Sequence, residues 1–201
     1  MKKQSFSRIL GLALCCMPLS AWAQKTDKVL VPQQLYNEGY ELFRQKAYAA
    51  ALSPLEAYLK QTGSGRLPAT EATQRAEAEY MLVCAAYELG NPQSTELLRA
   101  YLEENPDTPH ANCLQALVAS TYFFKQDYET ALSVFRQTRL DWLEADERDD
   151  MTYRLATCYL QTGDLQEAAA WFSALQAMSV RYDGDCTYYL SYIRYTQQRY
   201  D

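Results

Sequence analysis

The sequence predicts an all-α protein, a solenoid built from a series of short helical hairpins. Apolar and small residues recur at the spacing of an amphipathic helix, and polar turns separate pairs of such stretches. The chain is 48% apolar and 13% aromatic, a composition that excludes a disordered protein. A small-residue position also returns along the chain, at Gly39, Cys84, Ala119, Ala156 and Ser191.

The clearest hairpin spans residues 152–175, with a turn at residues 161–164. Each half carries an apolar stripe at helical spacing, made by Leu155, Ala156 and Tyr159 and then by Ala168, Phe172 and Leu175. The small side chains of Ala156 and Ala168 lie where two helices would cross. This arrangement predicts a close helix-to-helix contact.

This stretch resembles a tetratricopeptide (TPR) repeat, whose pattern is Leu, a small residue, two others and Tyr, followed later by Ala-x3-Phe. The last four small positions are separated by 35, 37 and 35 residues, close to the TPR period of about 34. The first interval is 45 residues because it includes a loop at residues 63–68. The resemblance implies a TPR solenoid over residues 32–201, with about four and a half repeats.

In chain order, we expect a linker at residues 24–31 and a first helix that begins at Pro32, since proline suits the first helical turn. The expected repeats are 32–62, 75–106, 112–143, 149–180 and, incompletely, 185–201. The last repeat stops after its first helix, with Tyr200 and Asp201 at the following turn. That helix carries tyrosines on more than one side, so we expect the natural protein or its assembly to continue beyond Asp201.

Residues 1–23 have the three parts of a secretory signal peptide: basic residues, an apolar core at residues 9–17 and the small-residue motif Ala21-Trp22-Ala23. A membrane anchor is the first alternative, but the apolar run is short and Pro18 interrupts it. A lipoprotein signal at Cys15 or Cys16 is the second, and Leu14 argues against it. The sequence therefore predicts export, to the periplasm or an outer-membrane-associated site.

Charge and cysteine content narrow the function classes. The formal net charge is −6 and no basic run is present, which argues against nucleic acid as a partner. The cysteines of the mature chain lie in predicted first helices without metal-ligand spacing, so we expect buried free thiols rather than disulfides. They are Cys84, Cys113, Cys158 and Cys186.

The sequence offers little chemistry. His110 is the only histidine and follows Pro109 in a predicted linker, which gives no support to a Ser-His-Asp triad. An acidic cluster surrounds Trp142, at Asp141, Glu144, Asp146, Glu147, Asp149 and Asp150. It lacks the oxygen spacing of a calcium loop, so we favour a solvated turn over a cation site. We therefore predict no enzyme activity, no metal and no small-molecule cofactor.

The resemblance implies a different kind of site, since the first helices of TPR arrays line a concave groove that holds a peptide or partner helix. Carried over by register, the groove positions are Tyr36, Asn37, Tyr40, Arg44, Met81, Ala85, Phe123, Tyr153, Arg154, Thr157, Tyr188 and Tyr192. Such a groove would be aromatic with few cations, which suits protein recognition. The alternative is that many of these tyrosines pack between repeats.

The sequence thus predicts a scaffold or adaptor of the bacterial cell envelope that binds another protein or peptide. A sensor module is the rival hypothesis: the chain would then be the extracytoplasmic, ligand-binding part of a longer signalling protein. A transmembrane segment beyond Asp201 would favour the sensor, and further repeats would favour the adaptor.

Overall fold

The helices form a row of antiparallel hairpins. The computed structural model of the 201-residue chain describes residues 31–63, 65 and 67–197. The predicted signal peptide, nearly all of the predicted linker, and Tyr200 and Asp201 lie outside these residues. The helices in the described part are α1 (Pro32–Arg44), α2 (Tyr48–Thr62), α3 (Ala69–Glu88), α4 (Ser94–Glu104), α5 (Ala111–Phe124), α6 (Tyr128–Phe135), α7 (Ala145–Gln161), α8 (Leu165–Met178) and α9 (Asp183–Thr196).

Each first helix packs on the second helix of its hairpin and on the second helix of the preceding one. Thus α3 contacts both α4 and α2, and α7 contacts both α8 and α6. First helices also meet one another, since α1 contacts α3 and α5 contacts α7. Short 3₁₀ turns at Leu140–Trp142 and Val180–Tyr182 lead into α7 and α9.

The turns inside the four complete hairpins share one backbone pattern. Each contains one residue with positive φ, at Lys46 (59°), Gly90 (69°), Gln126 (61°) and Gly163 (85°). The N–H groups of this residue and the next donate to carbonyls of the last helical turn, as Gly163 N does to Leu160 O and Asp164 N to Tyr159 O. Carboxylates at Asp127 and Asp164 then cap α6 and α8.

Helix α3 begins at Ala69, six residues before the start at residue 75 that the sequence suggested. Pro68 fixes the entry of the chain, and the stretch after it has no residue that opposes a helix. The longer helix lets Arg75 donate from Nη1 to Gly63 O at 2.6 Å and to Leu59 O at 3.0 Å. These bonds tie α3 to the end of α2.

In the part of the chain that the structure describes, the core consists of two clusters of buried side chains. The smaller one joins α1, α2 and α3 through Leu35, Ala51, Leu55, Tyr58, Ala78 and Met81. The larger one runs from Cys84 to Ile193. Phe43 and Tyr80 pack against both clusters, so the two are continuous at α3. None of the helices in residues 31–63 and 67–197 combines the length and the apolar character needed to span a bilayer.

Candidate functional site

The first helices α1, α3, α5 and α7 form one surface, called here the first-helix face. Its central group is Arg154 on α7, which joins three successive hairpins. Arg154 Nη1 donates to Ser120 Oγ on α5 at 2.7 Å and to Tyr87 Oη on α3 at 3.1 Å. The guanidinium also lies 4.9 Å from the centre of the Phe124 ring. A fixed cation therefore stands where three first helices meet.

A cavity of about 280 Å³ opens beside Arg154, called here the Arg154 pocket. Its lining residues are Tyr87, Glu88, Leu117, Phe124, Glu147, Asp150, Met151 and Arg154. Carboxylates outnumber cations in this set. Within the described residues Arg154 forms no ion pair, and Asp150 is engaged by Arg181 at 2.9 Å and by Tyr182 Oη at 2.7 Å. In this same part of the chain, the carboxylates of Glu88 and Glu147 are left without such partners.

Negative charge is concentrated around Glu147 in the Arg154 pocket. Its pKa is raised by partial burial of the carboxyl group and then by the neighbouring carboxylates of Glu144 and Glu88. The side chain reaches solvent, so this burial is incomplete. The nearby cation of Lys46 lowers the pKa of Glu147 and so opposes these effects in part.

A second, shallow depression lies on α1 and α3, with a volume of about 680 Å³. It is lined by Tyr36, Asn37, Tyr40, Glu41 and Glu77. Tyr36 and Tyr40 stack with their ring centres 6.1 Å apart. The Arg44 guanidinium lies over the Tyr40 ring, 5.9 Å from its centre. Four predicted groove residues thus come together at this end of the first-helix face.

Other predicted groove residues are placed elsewhere. Met81 is only 1% exposed and belongs to the small core cluster, so it offers no surface to a partner. Ala85 and Thr157 are also buried. Phe123 is half-buried against Phe124 and Tyr128. These positions face inward because each first helix is covered on two sides by neighbouring second helices.

Tyr153 packs between hairpins, which is the alternative that the sequence left open for it. Its ring stacks on Tyr182 at 4.9 Å and meets Phe172 edge-on at 6.2 Å. Tyr188 and Tyr192 on α9, in contrast, are 66% and 49% exposed. Neither tyrosine lines the Arg154 pocket or the depression on α1 and α3.

Sequence reasoning missed Tyr87, Glu88, Phe124 and Glu147 as lining residues of the Arg154 pocket. The first three lie at the ends of α3 and α5, and Glu147 lies in the first turn of α7. The groove positions were assigned by matching the repeats to one another, and that match did not include these residues. The sequence did carry a chemical signal for these residues, since carboxylates lie near aromatic residues at the helix ends of two hairpins.

The acidic cluster itself is spread over two turns of α7 and the preceding 3₁₀ turn. Within the described residues, no group of three or more His, Cys, Asp or Glu side chains is arranged to hold a metal.

His110 forms a contact network rather than a triad. Its Nε2 lies 2.8 Å from Glu77 Oε2, and its ring stacks on Tyr80 with centres 3.7 Å apart. Burial strongly raises the pKa of Tyr80, so this phenol stays protonated. His110 therefore joins the start of α5 to the middle of α3.

The four predicted thiols are free. Cys84, Cys158 and Cys186 are buried as expected, whereas Cys113 is only half-buried. Burial raises the pKa of Cys158 to about 12 and is the largest cause that raises the pKa of Cys113 to about 11. The thiolate is the nucleophilic form, so these groups are poor nucleophiles at neutral pH.

We expect stability to fall as the pH rises above 9. Cys158 has an ordinary pKa of 9.0 and a folded-state pKa of about 12. Its contribution to the free energy of unfolding is complete below pH 9 and is lost progressively between these two values. Circular dichroism melts from pH 7 to 11 should show this decline. Cys158→Ala should make it less steep, and an unchanged slope in that variant would contradict the assignment to Cys158.

Comparisons with known proteins agree with the fold. Residues 118–185 match the family described as tetratricopeptide repeat. The structure is similar to that of MamA AMB-1, with a TM-score of 0.62 and 17% identity over 84% of this chain and 83% of that one. Two mutant forms of MamA give TM-scores of 0.60 and 0.63 at 17% identity, over 84% of this chain and 84% and 88% of theirs. No curated protein sequence matches the chain.

The resemblance to tetratricopeptide repeats is therefore confirmed over residues 118–185, and the predicted all-α solenoid is confirmed. The bounds of the individual repeats stay a prediction. At 17% identity the likeness to MamA shows the fold alone. This fold is consistent with a protein–protein interaction scaffold, a class that is typically non-catalytic.

Proposed function

We propose that the protein is an exported scaffold of the cell envelope that holds a segment of a partner protein on its first-helix face. The observation that carries this proposal is the convergence of three hairpins on Arg154, beside a cavity of about 280 Å³. The TPR fold supports a binding role, and the signal-like residues 1–23 support export. Fold alone does not identify the partner.

Two sites on the first-helix face suggest what the partner segment contains. The stacked Tyr36 and Tyr40 offer a flat apolar surface with hydrogen-bonding tips, which suits an apolar side chain or the peptide backbone. The Arg154 pocket offers the carboxylates of Glu88 and Glu147, which form no ion pair with the described residues and suit Lys or Arg. The favoured partner segment is therefore basic near the Arg154 pocket and apolar near α1.

In-cell photo-crosslinking tests this proposal. A photoreactive amino acid at position 40 should capture one dominant protein, whereas the same group at Lys60, exposed on α2, should not. Glu88→Lys should reduce capture about tenfold, because it places a like charge against the basic segment. Glu129→Lys, the same change on the exposed surface of α6, is the matched control and should leave capture unchanged.

Equal capture from positions 40 and 60 would contradict a role for the first-helix face. If Glu88→Lys and Glu129→Lys reduce capture equally, overall charge rather than the Arg154 pocket sets binding.

A further inference from the structure

A third cavity of the described chain has a volume of about 480 Å³. It is bounded by α6, the 3₁₀ turn before α7, α7 itself and α8. Guanidinium groups and apolar side chains dominate its lining. We call it the arginine pocket, after Arg136, Arg139 and Arg148, which surround Leu155, Trp171 and Met178.

The arginine pocket is separate from the first-helix face, because the two use different sides of α7. Arg148, Leu155 and Tyr159 follow an i, i+7, i+11 spacing along one side of the helix and line the arginine pocket. Glu147 and Arg154 line the Arg154 pocket. At about 100° per residue, these two sides of α7 point about 120° apart. A ligand in one cavity leaves the other accessible.

The side chain of Arg148 is the unusual feature of the arginine pocket. Within the described residues, its Nε atom is buried without a hydrogen-bond partner and its guanidinium forms no ion pair. A buried donor without an acceptor destabilises the fold, and native proteins contain few of them. Arg148 as a whole is only partly buried and lines the arginine pocket, so the remainder of its guanidinium group is open to an acceptor from a ligand.

The neighbouring cations add to the same local charge. Arg136 is exposed, donates to the Tyr159 hydroxyl at 3.5 Å and lies 5.6 Å from the centre of the Tyr159 ring. The carboxylates of Asp164 and Glu167 at the start of α8 also act on it electrostatically. Arg139 is paired with Asp141 at 3.3 Å. Asp141 is the only carboxylate among the described lining residues, so positive charge is in excess here on a protein whose net charge is −6.

The floor of the arginine pocket is apolar. Leu155 is buried, Trp171 is half-buried, and Met178 is 51% exposed despite its apolar side chain. A phosphate or other small anion would use the guanidinium groups but leave this floor uncovered. A protein segment can fill both, with a carboxylate on the arginines and an apolar side chain on the floor.

We propose that the arginine pocket is a second binding site, for an acidic segment of a partner protein. An Asp or Glu carboxylate of that segment accepts hydrogen bonds from Arg148 and Arg136. An adjacent Leu or aromatic side chain packs against Trp171 and Met178. With the first-helix face taking a basic segment, the protein bridges two partners of opposite charge. This second site stands whether or not the first-helix face binds a partner.

Selection of random dodecapeptides displayed on phage tests the arginine pocket without knowledge of the partner. The intact chain should select peptides rich in Asp and Glu beside Leu or aromatic residues. Arg148→Met should lose this class, and Arg194→Met, which removes an equal charge from the exposed surface of α9, should retain it. Glu88→Lys should also retain it, which separates this site from the Arg154 pocket.

The best acidic peptide should then bind Arg148→Met about tenfold to a hundredfold more weakly than the intact protein by calorimetry, the range expected for charge-assisted hydrogen bonds. Trp171 fluorescence should change on binding to the intact protein. Arg136→Met provides a second test at an exposed position that does not depend on how Arg148→Met folds, and it should also weaken binding.

A structural role for Arg148 predicts a different result. Removal of an unpaired buried donor should leave the thermal midpoint of Arg148→Met unchanged or raise it, whereas a structural arginine would lower it. The proposal is overturned if the intact chain selects no acidic class, or if Arg148→Met and Arg136→Met both retain it. It is also overturned if the acidic class is absent and sedimentation shows a dimer that Arg148→Met abolishes, because a second copy would then fill the pocket.

Discussion

Phe172→Ala should lower the free energy of unfolding by about 3–5 kcal/mol, the usual range for truncating a fully buried aromatic side chain. Phe172 on α8 is 0% exposed. Its ring stacks on Tyr189 of α9 at 4.9 Å and meets Tyr153 of α7 edge-on at 6.2 Å. The cavity left by alanine would open between α7, α8 and α9, so all three helices would lose packing contacts there.

The loss should be local, because each hairpin of a solenoid contacts mainly its neighbours. Hydrogen exchange should accelerate in α7, α8 and α9, while α1 and α2, held by the smaller core cluster, keep their protection. Chemical denaturation monitored by circular dichroism gives the overall change.

Met178→Ala is the matched control on the same helix, since Met178 is largely exposed and its truncation should change stability by less than about 0.5 kcal/mol. Equal losses in Phe172→Ala and Met178→Ala would contradict the central position of Phe172. Loss of protection throughout the chain would contradict locality.

Much of the fold could be predicted because helical packing leaves a local signal. Ala131 and Phe135 on α6, like Ala168 and Phe172 on α8, stand four residues apart and are all buried. Any helix that packs on one side needs apolar residues at this spacing, so the pattern depends on the helix alone. The small positions follow from the close crossing of two backbones, which also concerns only neighbouring residues.

The turns inside the hairpins were harder to predict in detail. Gly90 and Gly163 signal their positive φ, since glycine adopts it without strain. Lys46 and Gln126 adopt the same conformation without such a signal. Lys46 N and Gln126 N donate to Phe43 O and Phe123 O, as the glycines do to the matching carbonyls of their own turns.

The candidate site could be predicted only in part, because it depends on contacts between distant residues. Arg154 was predicted to lie in the groove, and it does line the Arg154 pocket. Its partner Tyr87 lies 67 residues away in sequence, and no local pattern relates the two. Met81 was misplaced for the same reason, since a first helix has more than one apolar side and register does not tell which is covered.

Gly39→Ala should destabilise the protein by about 1–3 kcal/mol, although alanine is the better helix former, because overpacking outweighs propensity here. A Cβ at position 39 would lie 2.6 Å from both Cγ and Cδ2 of Leu55. Leu55 is fully buried in the smaller core cluster, so it has no free space into which to move. α1 and α2 would have to separate.

Replacing a different glycine, Gly184, by alanine should change the stability in the opposite direction. The two variants together therefore separate overpacking from helix propensity. A Cβ added to Gly184 on α9 would meet no heavy atom of the described chain within 4 Å, apart from its chain neighbours and the backbone of its own helix. Gly184→Ala should therefore stabilise the protein by up to about 1 kcal/mol. Thermal melts of both variants measure the difference. If Gly39→Ala also stabilises, α1 and α2 are not in close contact, and the depression at Tyr36 and Tyr40 loses its rigid support.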